Sequence, residues 1–146
     1  MEKLTTIKAA AAAALGALTA VWGRAGWLAA LWIAAMLLDY LTGTAAACKA
    51  GEWSSRVARE GLWHKTGSVA AVLTAALCDL AAGLLLEPEG GTSLQLFPLA
   101  TAWYLLTELG SVAENAGKLG APVPKFLLRA VQALRRQLDR EEDDDT

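Results

Sequence analysis

Apolar residues in this chain come in long blocks, not in the alternation of half-buried strands. Four blocks stand out, at roughly 9–22, 27–47, 67–86 and 94–112. At about 1.5 Å per residue the second, third and fourth can cross a hydrocarbon layer about 30 Å thick, whereas the first reaches only about 20 Å. Inside lipid a backbone can satisfy its polar groups only within a helix or a closed barrel. With no strand alternation present, the pattern predicts an all-α membrane protein with three to four transmembrane helices in a membrane domain of residues 1–121.

A different pattern follows Pro122 and Pro124, which end the fourth block and start something new. Over 122–140, Leu127, Val131, Leu134 and Leu138 share one helical face, and Lys125, Arg129, Gln132 and Arg136 lie on the other, with Arg135 beside them. This is a C-terminal amphipathic basic helix. It suits the headgroup region of an anionic inner leaflet, and equally a place as partner helix in an oligomeric bundle. The closing acidic run, residues 141–146, is expected to be disordered.

Charge placement gives an orientation. The formal net charge of −2, in a chain 55% apolar, conceals a nearly uncharged middle. If all four blocks cross, every Lys and Arg except Arg24 falls on one side, which places both ends in the cytoplasm. Trp22 and Trp27 would then lie at the outer interface, and Trp53 and Trp63 near the inner one. The first block has three readings: a short span, an interfacial helix, or a signal peptide lacking a good small-x-small cleavage site. If it does not cross, only the N-terminus changes sides.

Candidate chemistry is sparse. Cys48 and Cys78 lie in different blocks without metal-ligand spacing and read as buried, reduced thiols. His64, the sole histidine, reads as a loop or interfacial residue. There is no nucleophile–base set, metal site or phosphate loop, so no enzyme is expected, nor any cofactor or nucleic-acid partner.

The informative residues are the acids inside the blocks: Asp39, Asp79 and Glu108. Each costs a few kcal/mol if it faces hydrocarbon near the bilayer centre, so each should face protein or water. Stepping by four from Asp39 gives Ala35, Gly43 and Ala47; stepping from Asp79 gives Gly67, Ala71, Ala75 and Gly83. Small residues at this spacing let helix backbones approach closely. In the fourth block Thr101, Tyr104, Glu108, Ser111 and Asn115 form a polar stripe, and Glu114 with Lys118 is a possible i,i+4 pair. No basic residue lies within the blocks to neutralise the acids. They act as structural glue, line a pathway for ions or solutes, or form a face hidden in one state and wetted in another.

The order of these motifs resembles the holins of phage lysis and toxin secretion. "LLDYLTGTAAACKAGEWSSRVAREGLWHKTG" is similar to that family's helix ending in Asp-x-x-x-Gly, its basic loop with paired serines and its Gly/Lys entry to the next helix: Asp39, Gly43, Ser54, Ser55, Gly61, Lys65 and Gly67. Asp79 matches the family's later aspartate. "TELGSVAENAGKLGAPVPKFL" resembles its Glu-x-x-Ser-x-x-Glu-Asn motif and the Pro-x-Pro-Lys that follows, supplying Glu108, Ser111, Glu114, Asn115, Pro122, Pro124 and Lys125. The resemblance implies a homo-oligomer in the bacterial host's cytoplasmic membrane that opens lesions and releases an endolysin or a toxin. Other classes stay open: an acid-lined channel or transporter unrelated to lysis, and a structural protein or holin antagonist.

Overall fold

Every element among the described residues is helical. The structure is a computed structural model that describes residues 2–86 and 95–144, with side chains for 3–86 and 95–140. Helix α1 (Glu2–Trp22) passes through one 3-10 turn (Gly23–Gly26) into α2 (Trp27–Ala50); α3 (Ser55–Leu85), α4 (Leu96–Leu119) and α5 (Lys125–Asp144) follow.

The boundaries have local causes. Gly23 takes φ +57°, and a Cβ on Gly26 would stand 2.7 Å from the backbone of Leu18 and Thr19, so glycine lets the chain fold back over the end of α1. Gly51 and Gly120 close α2 and α4 in the left-handed conformation, with φ of 72° and 95°. Ser54 caps α3, its Oγ accepting the Val57 N–H at 3.2 Å. Because α3 starts at Ser55, much of the stretch read as a loop is helix, and His64 and Lys65 sit well inside it.

Helices α2 and α4 run parallel. Trp32 lies beside Tyr104, Asp39 bonds Asn115, and Lys49 reaches Leu119, in ascending order along both helices. Helix α3 runs antiparallel, with Lys65 level with Asp39 and Glu108, and Asp79 level with the start of α4. Ala29, Trp32, Val72 and Phe97 form the apolar core, joined by Leu18 and Trp22 from the end of α1. Residues 3–14 of α1 are exposed, so only its last turns are docked.

Large apolar side chains cover the outside: Leu31, Leu37 and Leu41 on α2, and Leu73, Leu77 and Leu84 on α3. Lipid is the solvent for which such a surface is suited. By length and apolarity two helical stretches among the described residues can cross a membrane, Lys3–Ala50 and Ser55–Leu85. Helix α4, with 24 residues, is long enough, but its polar stripe keeps it out of that class. The first of these stretches holds both α1 and α2; the count of three to four spans, and with it a crossing by α4, belongs to the proposals below.

Other sequence expectations change. Cys48 and Cys78 are free but exposed, not buried; Cys78 lines a groove between α3, α4 and α5. The acidic run is helical in its backbone as far as Asp144, and the side chains of 141–146 lie outside the described residues, as does the "EPEGGT" link. Helix α5 does not lie apart from the bundle. It folds back along α4, where Trp103 Nε1 donates to Asp139 Oδ1 at 3.2 Å and the Arg135 guanidinium stands 5.0 Å over the Trp103 ring.

Candidate functional site

Helix α4 is the axis of the site, because its neighbours supply a charge to each end and to its middle. At its N-terminus Gln95 turns through φ 58°, and the first helical N–H groups are bonded from another helix. Asp79 of α3, only 2% exposed, accepts the Leu96 N–H at 2.9 Å and the Phe97 N–H at 3.0 Å. The same carboxylate accepts the Trp22 Nε1–H at 3.0 Å. An anion at the positive end of the α4 dipole is favourable, and two otherwise orphaned donors are satisfied. The Trp22 ring also packs on Phe97, with centroids 4.3 Å apart. Asp79 therefore ties the end of α1 and the start of α4 to α3.

At the other end Lys49 of α2 donates to the carbonyls of Lys118, at 3.3 Å, and Leu119, at 2.7 Å. A cation here complements the negative end of the same dipole. Sequence spacing gave no sign of this contact, since Lys49 read as an ordinary cytoplasmic loop cation.

Three helices meet in charge near the midpoints of α2 and α4. Lys65 Nζ donates to Asp39 Oδ2 at 2.9 Å and to Glu108 Oε2 at 2.5 Å, and Asn115 Nδ2 donates to Asp39 Oδ1 at 3.0 Å. This corrects the expectation that the acids lack a basic partner. Lys65 precedes the third apolar block, but α3 extends below that block and brings it level with Asp39 and Glu108. One ammonium serves two carboxylates, so the group carries an excess negative charge unless a proton is shared. The cluster lies beside two clefts. One, of about 190 Å³, lies between α2 and α3 and is lined by Gly43, Gly61 and Asn115. The other, of about 480 Å³, lies on the α3–α4 side, lined by His64, Ser68, Tyr104, Thr107 and Ser111 as well as the ion cluster.

The remaining candidate residues divide by helix. On α2, Ala35 is buried, Ala47 is half-buried, and Gly43 brings its backbone so near Asn115 that a Cβ would meet Nδ2 at 3.3 Å. That face packs on α4 within one chain. On α3, Ala71 and Ala75 are half-buried, while Gly67 and Gly83 are exposed, with nothing within 4 Å of where a Cβ would stand. On α4, Thr101 is fully buried, and Ser111 Oγ donates to the Thr107 carbonyl at 3.2 Å. Glu114 is exposed, and the pair expected with Lys118 is not formed. On α5, Lys125, Arg129 and Arg136 are exposed. No group of three or more potential metal ligands occurs among the described residues.

This arrangement of acids, one lysine and apolar exterior coincides with a family match: the model of the bacteriophage holin family covers residues 16–136. The chain belongs to the bacteriophage holin family. This holin is 34% identical over 135 residues to an uncharacterized protein of Halalkalibacterium halodurans, an alignment spanning 92% of this chain and 96% of that one. It is 30% identical over 102 residues to an uncharacterized protein of Clostridium perfringens, covering 70% of both chains. An uncharacterized 14.9 kDa protein from the nagH 3′ region of the same organism is 31% identical over 102 residues, 70% of this chain and 72% of that one. No solved structure matches. The holin is accordingly a membrane protein of a non-enzymatic, pore-forming family.

Proposed function

We propose that this holin assembles with copies of itself in the bacterial cytoplasmic membrane and opens lesions through which an endolysin, or in other settings a toxin, leaves the cell. The observation that carries the reading is the Asp39–Lys65–Glu108 cluster at the middle of helices whose outer surface is apolar. Within one chain these charges satisfy one another. Across an opened assembly they can exchange those partners for water, so a polar face closed in one state becomes a wetted wall in the other. Helix α4 crosses with α2 and α3 in this reading, its polar stripe shielded by both. In this reading Lys49, Lys118 and the start of α5, which lie at one end of the parallel α2–α4 pair, are on the cytoplasmic side, as their positive charge favours. Gly83, exposed on α3, is open to close approach by a second copy. Before assembly, Lys125, Arg129, Arg135 and Arg136 hold α5 to the anionic inner leaflet.

The test is induction in a bacterium that also expresses a cytosolic cell-wall hydrolase, with culture density followed in time. A delayed, sharp collapse that needs both proteins is expected. Asp39→Asn, which removes one charge from the cluster, should leave insertion intact but shift or abolish the collapse. Slow leakage without collapse would move the small acid-lined channel to the front, and no effect from this protein alone or with hydrolase would favour an antagonist.

A further inference from the structure

The docked position of α5 is difficult to reconcile with hydrocarbon all around α4. Trp103, which holds Asp139 and Arg135, stands about 24 Å along the helix from Leu119 at 1.5 Å per residue. Helix α5 therefore lies beside α4 over most of that length. Its covered edge contains Leu128, Val131 and Leu138, whereas Arg129, Arg136 and Arg140 point away from the bundle. Facing lipid, each such cation would cost a few kcal/mol near the bilayer centre. The arrangement suits a membrane only if that side of the subunit meets water.

A second observation points to the same side. The cleft of about 480 Å³ between α3 and α4 shares Trp103 and Tyr104 with the groove beside α5, and among largely apolar walls it gathers the polar groups of His64, Ser68, Thr107, Glu108 and Ser111. Exposed leucines of α2 and α3 cover other faces. We propose that the side formed by the α3–α4 cleft and docked α5 is the water-facing side of the membrane-embedded subunit, and that the cationic face of α5 lines the lesion. The inference rests on the reading of α4 as membrane-spanning. It adds which face is the lumen wall. The segment after Gly120, with Pro122 and Pro124, is the joint on which α5 moves between the leaflet surface and this wall.

The holin in anionic proteoliposomes tests it, using Cys78, which lines the groove together with Leu138. In a Cys48→Ser background, Leu138→Cys provides a partner thiol for a short bis-maleimide. In separate Cys48→Ser/Cys78→Ser chains, Thr107→Cys, Arg136→Cys and Leu37→Cys report access to a water-soluble maleimide. The expected result is crosslinking of positions 78 and 138 in the bilayer, with positions 107 and 136 labelled about tenfold faster than 37, as lipid burial of the last requires. Absence of the crosslink in bilayers overturns the proposal. So does slow labelling at 107 or 136, and the position 107 measurement keeps α5 native. Release of trapped dextran by the unmodified chain is followed in parallel. Its failure while access and crosslink persist would sink the lesion reading and leave the water-facing side in place.

Discussion

Removing the ammonium of Lys65 is the sharpest perturbation this architecture offers. The side chains of Lys65, Asp39 and Glu108 are 18%, 18% and 10% exposed, so the cluster is largely withdrawn from solvent. At an effective dielectric of 20, each contact with Lys65 attracts by about 6 kcal/mol. Desolvation of the three groups takes back much of this, and truncating one partner of a buried ionic group leaves a net loss of about 3–5 kcal/mol. Lys65→Met should therefore destabilise the folded monomer by about 3 kcal/mol or more, because two carboxylates then face each other with only Asn115 as donor. The triple variant Lys65→Met/Asp39→Asn/Glu108→Gln removes every charge while keeping the shape, and should return to within about 1 kcal/mol of the parent. Reversible unfolding by SDS in mixed micelles, followed by tryptophan fluorescence and far-UV circular dichroism, measures both. If Lys65→Met stays within about 0.5 kcal/mol of the parent, the charges are hydrated and the idea of a closed cluster is refuted.

Other expectations follow from single contacts. Asp79→Ala removes acceptors for two α4 N–H groups and for Trp22, so it should cost about 1–2 kcal/mol and raise amide exchange at Leu96 and Phe97 above that at Leu106. Protection at those two amides unchanged from the parent would count against the cap. Gly26→Ala forces a Cβ to 2.7 Å from backbone atoms of α1, so it should open the turn and destabilise by about 1–3 kcal/mol. Gly61→Ala, where nothing lies within 4 Å, should instead gain about 0.5–1 kcal/mol from better helix propensity. The same SDS titration distinguishes the two. Trp103→Leu removes both the donor to Asp139 and the ring beneath Arg135, and should weaken crosslinking between position 78 and Leu138→Cys while leaving the far-UV spectrum unchanged.

Much of the molecule can be read from one dimension. Block length and apolarity are properties of consecutive residues, and they are enough to predict helices and a membrane setting, since lipid leaves the backbone no other choice. The need for Asp39, Asp79 and Glu108 to avoid hydrocarbon is likewise set by local cost alone. The motif order around Asp39, Glu108 and the Pro-x-Pro segment was sufficient to indicate the family. What remained illegible was which groups meet. Lys65 sits outside the apolar block that follows it, and only the length of α3 and its antiparallel register bring it level with acids on two other helices. Lys49 read as a loop cation because the carbonyls it caps lie 69 and 70 positions away in sequence. Asp79 read as one more acid on a packing stripe, yet its role as the cap of α4 depends on where the next helix begins. Helical spacing tells which residues of one helix share a face. It says nothing of the rotation and axial shift between helices, and those were decided here by side-chain packing and by the need to pair each buried charge.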